Sequence, residues 1–497
     1  MPDKNFRRIF AAIFLGTFLT WPARSADSKN RYYTGQAPTV YTSPNQNLLS
    51  RSLQNVPEYA LPDINSLVHP VTAALPNSDQ TVTVKPADLG LILSNGLPTL
   101  GPQVSTCGSI VSAGTYVLTQ DLPSRGGDSG GLCISIQTID GSTLPDVTLD
   151  CQGHSISSDV AAYYTTGLTI TNCNITGGQL PVTIGYSQDY TLTHNTFGQS
   201  LSINCNGGTV ADNTITGFYQ QVQSSHMQID DNNIVNGPEW GIAGIDSENG
   251  SANMFSGNHI DGGWDGSADD YDKVGLDDGF NIRWENGDQV TDNTINNVWD
   301  TGIETVGAIR NLTISGNQID HTQVSAIGGW WSSSWNGVTI ANNTANDVPT
   351  FLNFFYSQDQ EHGPAPKTLA FENVKVLNNT LTNARPPLPG FPNTSVNVNL
   401  VPWYIQTGEN GPSTILYGNN QLSGNNFDSS VPAPLLNPPD VFTKRGITFL
   451  QRNAPLRPPT SGSKQALKLK WLQRHNHLLD KLQQRLHTAL AKRKGLR

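Results

Sequence analysis

The sequence predicts an all-β solenoid, a fold in which short strands wind into stacked coils. Only 14 % of the 497 residues are charged, while 47 are Gly and 31 are Pro, which is typical of a turn-rich β protein. Short β-branched stretches such as Val338-Thr339-Ile340 flank a recurring Asn, which is usually followed two positions later by an apolar residue, Thr or Ala. This Asn recurs every 18 to 40 residues, at Asn195, Asn213, Asn232, Asn258, Asn293, Asn317, Asn343, Asn379 and Asn419.

The spacing of these residues favours stacked coils over other β architectures. A strand repeat of about 18–26 residues cannot bury a hydrophobic face alone, so successive repeats must stack. A β-propeller would need about 40 or more residues and four strands per blade. An Asn at a fixed corner tolerates left-handed backbone and can form a hydrogen-bonded ladder along the axis. We expect about ten to twelve coils across residues 105–430, with Asn213, Asn232, Asn293 and Asn317 at equivalent corners.

The first predicted coils also carry a family resemblance. They contain Cys107-Gly108, Gly114-Thr115-Tyr116-Val117-Leu118, Cys133-Ile134-Ser135-Ile136 and the stretch 147–156. This pattern resembles the opening coils of right-handed parallel β-helix proteins of the pectin-lyase-like superfamily, which includes periplasmic NosD-like repeat proteins. The resemblance covers about residues 105–430 and implies a right-handed parallel β-helix. It implies no single activity, because the superfamily holds lyases, hydrolases, epimerases, adhesins and non-enzymes.

The N-terminal segments indicate export. Residues 1–25 combine the positive charges of Lys4, Arg7 and Arg8 with a short apolar stretch, which predicts a signal peptide cleaved after Ser25. Residues 26–104 lack periodicity and are interpreted as an extended arm or linker. No later stretch is apolar enough for a transmembrane segment, and a net charge of −11 argues against nucleic-acid binding. A secreted or periplasmic protein is expected.

The five cysteines fit an oxidising compartment. Cys107 and Cys133 flank a Gly-rich stretch and could pair, and Cys151 and Cys173 lie in similar contexts on what would be stacked turns. Cys205 would then remain as a buried free thiol. The cysteine spacings match no zinc signature. Three methionines and no His/Met cluster argue against copper handling.

The composition changes after the predicted solenoid. A Pro-rich linker is predicted at 431–463 and a basic amphipathic helix at 464–497. The predicted helix contains ten Lys or Arg residues and a single acid, Asp480. Leucines at helical spacing form one face of this segment. Because the remainder of the chain is acidic, the helix is expected to contact either the protein body or an anionic envelope surface.

Candidate catalytic chemistry is concentrated in residues 239–304, which hold fifteen of the chain's forty acids. Successive repeats, aligned on a Gly-apolar pair, place Ile242, Phe280 and Ile303 inward. This register predicts one outward row of Glu239, Asp277 and Asp300, and a second row of Asn281 and Glu304. Part of the region, about 261–276, is an insertion that lengthens one repeat.

Carboxylates one coil apart are forced close together and must bind a proton or a cation. They could serve a polysaccharide hydrolase as general acid and base, without a cofactor. Alternatively, Ca²⁺ held by the acids could neutralise a uronate in a lyase or epimerase, with Arg283 as the base. The predicted catalytic residues are Asp277, Asp278, Asp300, Glu304 and Arg283. The predicted substrate-binding residues are Glu239, Asn281, Trp284, Trp330 and Trp331, among tryptophans that also include Trp264 and Trp335.

Non-catalytic interpretations compete with this assignment. Asp at turn corners is ordinary Asx-turn chemistry, and Trp can cover a solenoid groove as packing. Polygalacturonase-like hydrolases carry a single Asp one coil before an Asp-Asp pair, whereas Asp277-Asp278 here precedes Asp300. Their Gly-His-Gly and Arg-Ile-Lys motifs are absent, as is the Asp-Pro-His-Asp motif of alginate epimerases. The alternative to a polysaccharide-cleaving enzyme is a non-catalytic periplasmic or surface scaffold.

Overall fold

The computed structural model describes most of the predicted solenoid. The described residues are 71–74, 81–84, 97–124, 131–138, 141–177, 181–235, 243–266, 275–356, 368–386, 404–405, 414–428 and 448–451. The predicted signal peptide 1–25 and basic helix 464–497 lie outside these residues, as do most of the arm and the Pro-rich linker. Within the described residues there is no helix, and hence none that is long and apolar enough to cross a membrane.

The described residues form forty strands in three sheets. In chain order the strands are β1 (Val71–Ala74), β2 (Thr81–Val84), β3 (Gln103–Val104), β4 (Gly108–Ile110), β5 (Gly114–Leu118), β6 (Leu132–Ile136), β7 (Leu144–Pro145), β8 (Val147–Asp150), β9 (Ser155–Ile156), β10 (Asp159–Tyr163), β11 (Thr165–Thr166), β12 (Thr169–Thr171), β13 (Asn174–Ile175), β14 (Val182–Thr193), β15 (Thr196–Phe197), β16 (Leu201–Ala211), β17 (Thr214–Thr216), β18 (Tyr219–Val222), β19 (Ser225–Asp230), β20 (Asn233–Val235), β21 (Ala243–Glu248), β22 (Met254–Ser256), β23 (His259–Asp261), β24 (Asp278–Arg283), β25 (Gln289–Thr291), β26 (Thr294–Val298), β27 (Thr301–Arg310), β28 (Thr313–Ser315), β29 (Gln318–Thr322), β30 (Ser325–Asn336), β31 (Thr339–Ala341), β32 (Thr344–Asn346), β33 (Leu352–Tyr356), β34 (Thr368–Glu372), β35 (Lys375–Leu377), β36 (Thr380–Thr382), β37 (Tyr404–Ile405), β38 (Thr414–Gly418), β39 (Gln421–Ser423) and β40 (Thr448–Gln451).

The strands wind into a parallel β-helix, as predicted. One coil consists of β26, β27 and β28, and each of these pairs in parallel with its counterpart β29, β30 or β31 in the next coil. One face of the helix is a ten-stranded parallel sheet that begins at β9 and ends at β36. Apolar side chains point inward from every wall and form one continuous core. Each coil therefore buries its neighbour's edge, which a single repeat could not do.

Coil pairing begins before the predicted boundary at 105. Thr99 forms a parallel bridge with Ser109, and β3 pairs with β5, so the end of the supposed arm belongs to the first coils. Farther upstream, β1 and β2 form an antiparallel pair. The alternating Thr and Val residues of β2 fit a two-stranded ribbon.

A ladder of buried asparagines runs along the coil axis, as predicted. In each step the Nδ2 of one Asn donates to the Oδ1 of the next at 2.9–3.0 Å. Asn213, Asn232, Asn293 and Asn317 are members, so their predicted equivalence is confirmed. The last member is Asn425, not Asn419 as expected; Asn419 is exposed and donates to Asn373 instead.

The left-handed backbone belongs to the residue before each ladder Asn, and not to the Asn itself. These residues have φ between 51° and 70°, and they are His194, Asp212, Asp231, Gly257, Asp292, Gly316, Asn342, Asn378 and Gly424. Asp, Asn and Gly tolerate this conformation best. The ladder Asn is then free to turn inward and bond its neighbours.

The cysteines pair as the sequence suggested. Cys107 bonds to Cys133, and Cys151 bonds to Cys173. Cys205 is free and 3 % exposed. Burial raises the pKa of its thiol to about 12, so it is a core residue and not a reactive one.

Candidate functional site

Three neighbouring strands, β21, β24 and β27, carry the acidic region. Ile245 pairs with Phe280, and Phe280 pairs with Ile303, so the three side chains stack inside the helix. A glycine precedes each of them because the walls approach closely here: a Cβ on Gly279 would lie 2.4 Å from Cγ2 of Ile295. The residues on either side of the Gly-apolar pair approach each other, since Asn281 Nδ2 lies 3.5 Å from Asp278 Oδ2.

The predicted register is wrong in the first of these coils. Ile245, and not Ile242, stacks on Phe280, so Asp246 is the residue aligned with Asn281. Asp246 was therefore missed, although the repeated pattern Gly-apolar-polar could have revealed it. That pattern occurs at Gly244-Ile245-Asp246, Gly279-Phe280-Asn281 and Gly302-Ile303-Glu304. Glu239, which was assigned to an outward row, lies outside the described residues.

The structure brings Asp278, Asp300 and Glu304 together, and we call these three residues the acidic cluster. One carboxylate oxygen from each lies within 4.8 Å of the other two. All three side chains are at most 9 % exposed. Asp277 is next to the cluster: its carbonyl oxygen accepts the Asp300 N–H at 2.7 Å, which places the two residues on adjacent coils as predicted.

Hydrogen bonds hold the cluster residues in place. Thr301 donates its N–H to Asp278 Oδ1 at 3.1 Å and its hydroxyl to Asp300 Oδ1 at 3.0 Å. Asn281 lies between the other two acids, with its Nδ2 at 3.3 Å from Glu304 Oε1 and 3.5 Å from Asp278 Oδ2. The Oδ1 of Asn281 is buried and has no hydrogen-bond partner. Asn281 therefore contacts two of the three cluster acids.

Burial raises the pKa of every carboxyl in the cluster, and neighbouring charges raise those of Glu304 and Asp278 further. The pKa of Asp300 rises to about 7, chiefly because the group is desolvated. Desolvation raises the pKa of Glu304 well above its ordinary value, and the charges of Asp300 and Asp277 raise it further. Asp278 is raised in the same way by burial and by Glu304. At neutral pH the cluster therefore holds protons as well as negative charge.

Arg283 is bound to carboxylates beside the cluster. Its Nε donates to Asp246 Oδ1 at 2.9 Å, and its Nη2 contacts both Asp246 Oδ2 and Glu248 Oε2. We call Asp246, Arg283 and Glu248 the arginine clamp. Burial lowers the pKa of Arg283, but the two carboxylates more than offset this and hold it above its usual value. Arg283 is therefore a fixed cation, which disfavours the proton-abstracting role considered from the sequence.

The tryptophans divide into two groups. Trp264 and Trp335 are 2 % and 0 % exposed, so the suggestion that they face sugar is wrong and they are packing residues. Trp284 is half-buried and lies against Gly307, where a Cβ would be 2.2 Å from the indole Nε1. Trp330 is in register with Val306, which is in register with Arg283. Trp331 follows it in β30, and only the backbone of these two residues is described.

A second pair of buried acids is structural. Glu285 accepts the Ser247 hydroxyl at 2.7 Å, and Asp288 accepts the Asn253 N–H at 2.8 Å. Burial raises the pKa of both, and the Asp288 charge raises that of Glu285 further. Each is 1 % exposed and accepts a hydrogen bond from a neighbouring coil, so both acids act as links between coils.

Comparison with known proteins agrees with the architecture. A model of the right-handed β-helix region matches residues 201–381. The chain contains a right-handed parallel β-helix. A search of curated proteins by sequence found no match. Solved structures similar to the chain include the catalytic domain of a GH87 α-1,3-glucanase in complex with nigerose, with 13 % identity and a TM-score of 0.37 over 65 % of this chain and 63 % of that one.

Two further solved structures were found to be similar to this chain. PfbA, a surface adhesin of Streptococcus pneumoniae, is 12 % identical, with a TM-score of 0.35 over 60 % of this chain and 78 % of that one. An endo-xylogalacturonan hydrolase from Aspergillus tubingensis is 14 % identical, with a TM-score of 0.31 over 70 % and 92 %. At such values the function of this β-helix has to be argued from its own site.

Proposed function

We propose that this β-helix protein binds a polysaccharide and hydrolyses it at the acidic cluster. The observation that carries the proposal is the convergence of three largely buried carboxyl groups within 4.8 Å on the outward side of adjacent coils. Glycoside hydrolysis needs one carboxyl that is protonated and one that is ionised at the working pH. Grouping acids in a poorly solvated site is the usual way to obtain both forms near neutrality.

The environments of the acids suggest their roles. Glu304, whose pKa is raised well above its ordinary value, is the general acid that protonates the leaving oxygen. Asp300, with a pKa of about 7, is partly ionised at neutral pH and is the ionised partner of Glu304, acting as base or nucleophile. Asn281 lies between Asp278 and Glu304 and orients Glu304 through its amide N–H. Asp277 adds negative charge that raises the pKa of Glu304. Trp284 supplies a face for a sugar ring.

Turnover on a polysaccharide panel tests this proposal. Asp300→Asn and Glu304→Gln should each lower the release of reducing ends by about 100-fold or more, while the melting temperature holds or rises. Asp230→Asn is a matched control, because it removes a charge from β19, outside the cluster strands. Unsaturated products detected by ultraviolet absorbance would indicate elimination instead. Unchanged turnover in both cluster variants would rule out the cluster as the site.

A Ca²⁺-assisted reaction is the second candidate, because the side chains of the cluster are suitable ligands for this ion. Three carboxylate oxygens lie within 4.8 Å of one another, and the buried Oδ1 of Asn281 has no partner. Oxygen donors of this kind suit Ca²⁺. Asp278, Asp300 and Glu304 would hold the ion, which would supply positive charge for a substrate anion. Because Arg283 is already bound to two carboxylates and is a poor base, we favour metal-independent hydrolysis.

The proposal includes export from the cytoplasm. Two disulfides are formed in the described coils, and such bonds persist in oxidising compartments. They support the secreted or periplasmic location that the N-terminal sequence predicts. Fractionation of the native host, followed by mass measurement of the mature N-terminus, tests both the location and cleavage after Ser25.

A further inference from the structure

The charges around the acidic cluster restrict the substrate that it can accept. Within the described residues 243–266 and 275–306, Arg283 is the sole Lys or Arg. Over the same stretch the acids include Asp246, Glu248 and Asp277 in addition to the cluster itself. These stretches of the cluster strands are therefore strongly acidic, and Arg283 is the cation that contacts their acids. Arg310 follows at the far end of β27.

That one positive charge is already compensated. Arg283 is bound to Asp246 through Nε at 2.9 Å and to Glu248 through Nη2 at 3.1 Å. The Asp246 carboxylate is fully buried and also accepts a hydrogen bond from Gln220 at 3.0 Å, so it is held against the guanidinium. Two carboxylates outweigh one guanidinium, so the arginine clamp has a net negative charge and offers no positive charge to a substrate anion.

A uronate unit would bring another carboxylate to this face. Its charge would lie a few ångströms from the cluster in a poorly solvated site, where like charges repel more strongly than in water. An uncharged sugar avoids that repulsion, and its hydroxyl groups can bond to carboxylates and to Asn281. The half-buried indole of Trp284, which lies along Gly307, offers such a sugar an apolar face.

We infer that the site takes an uncharged polysaccharide and discriminates against polyuronates. This inference rests on the proposed function and adds the class of substrate to it. It also predicts that the acidic face, and not only the chain's overall negative charge, is the cause of the discrimination.

The experiment compares neutral and uronate polymers with the full-length protein. Glucans, mannans, xylans and galactans form the neutral set, and polygalacturonate and alginate form the charged set. Carboxyl-reduced polygalacturonate is the matched control, because it is the same polymer without the carboxylate. Binding is measured by affinity electrophoresis and cleavage by reducing ends, in EDTA and again in Ca²⁺. We expect a neutral polymer to be bound and cleaved best, with uronate polymers at least about tenfold weaker.

The outcomes separate the two proposals. If no polymer is bound or cleaved, the proposed function fails. If a uronate polymer is the best substrate, with or without Ca²⁺, the proposed function stands and this inference is overturned.

Variants of the arginine clamp test the cause. Glu248→Gln and Asp246→Asn each remove one negative charge that balances Arg283, so uronate binding relative to neutral binding should improve by about tenfold. Glu248 is the milder site, since its side chain is 25 % exposed and Asp246 is fully buried. Asp230→Asn also removes one negative charge but lies outside the cluster strands, so it should leave the ratio of uronate binding to neutral binding unchanged. An equal gain in all three variants would contradict a local origin.

Discussion

Replacing Asp300 by Asn should stabilise the folded protein at neutral pH and leave it nearly unchanged at low pH. The unfolded chain releases the Asp300 proton near pH 4, whereas the folded protein retains it up to about pH 7. Within this window folding must take up a proton from a solution that holds fewer and fewer of them, so the free energy of unfolding falls as the pH rises, until the folded state also ionises near pH 7. The amide never ionises, so Asp300→Asn escapes this cost, and it still accepts the Thr301 hydroxyl.

The size of the effect follows from the two pKa values. A rise from 3.8 to about 7 corresponds to about 4 kcal/mol at 1.36 kcal/mol for each factor of ten in proton affinity. Unfolding about 330 residues of β-helix releases about 0.7 kcal/mol/K of entropy, so the melting temperature should rise by about 6 °C at pH 8.

Differential scanning calorimetry between pH 4 and pH 8 checks this prediction. Wild type should lose stability relative to Asp300→Asn as the pH rises, and the two curves should meet near pH 4. Asp231→Asn, at an exposed corner residue, is the control and should run parallel to wild type. A variant that melts below wild type by the same amount at both pH values would refute the reasoning, because the loss would then come from packing.

Four other predictions test the fold and the site. Asn317→Ala leaves its ladder neighbours without hydrogen-bond partners and should lower the free energy of unfolding by about 2–4 kcal/mol, measured by chemical denaturation. At the exposed Asn419, the same substitution should lower it by less than about 0.5 kcal/mol. Equal losses would contradict the ladder assignment. Replacing Cys151 and Cys173 by Ala opens a loop of 22 residues and should cost about 3 kcal/mol, and Cys205→Ala should cost less, since it breaks no crosslink. EDTA should leave hydrolysis unchanged, and a loss restored by Ca²⁺ would move the assignment to the Ca²⁺-assisted reaction. Trp284→Ala should raise KM by about tenfold with a smaller change in kcat, while Trp284→Phe restores most of the affinity; equal KM values in steady-state assays would remove Trp284 from the binding face.

The repeating features of this protein could be predicted from the sequence because each coil repeats the same local rules. The ladder Asn, the apolar residue two positions later and the preceding left-handed residue all recur, so the parallel β-helix and the ladder follow from them. The last ladder residue could also have been predicted, because Gly424-Asn425 has the same pattern as Gly257-Asn258. The prediction chose Asn419, whereas Asn425 is the residue that continues the ladder. The similar contexts of Cys151 and Cys173 suggested one disulfide, and the Gly-rich stretch between Cys107 and Cys133 suggested the other.

The candidate site could be predicted only in part, because insertions break the repeat there. Asp277, Asp278, Asp300 and Glu304 could be placed on one face, since the coils of β24 and β27 follow each other without a long insertion. The coil of β21 could not be aligned from sequence, because Gly241-Ile242 and Gly244-Ile245 fit the pattern equally well. Hydrogen bonds between coils select the second pair, and that choice brings Asp246 beside Arg283.

The sequence by itself determined the winding of the chain, the ladder and the wall that carries the acids. Only the tertiary structure decided what those acids contact and how strongly they hold protons. Winding depends on residues a fixed distance apart in the sequence, which the repeat records. A pKa and an ion pair depend on burial and on neighbours from coils many residues away, so Arg283 could be recognised as a fixed cation, and Trp335 as a core residue, only when the coils were stacked.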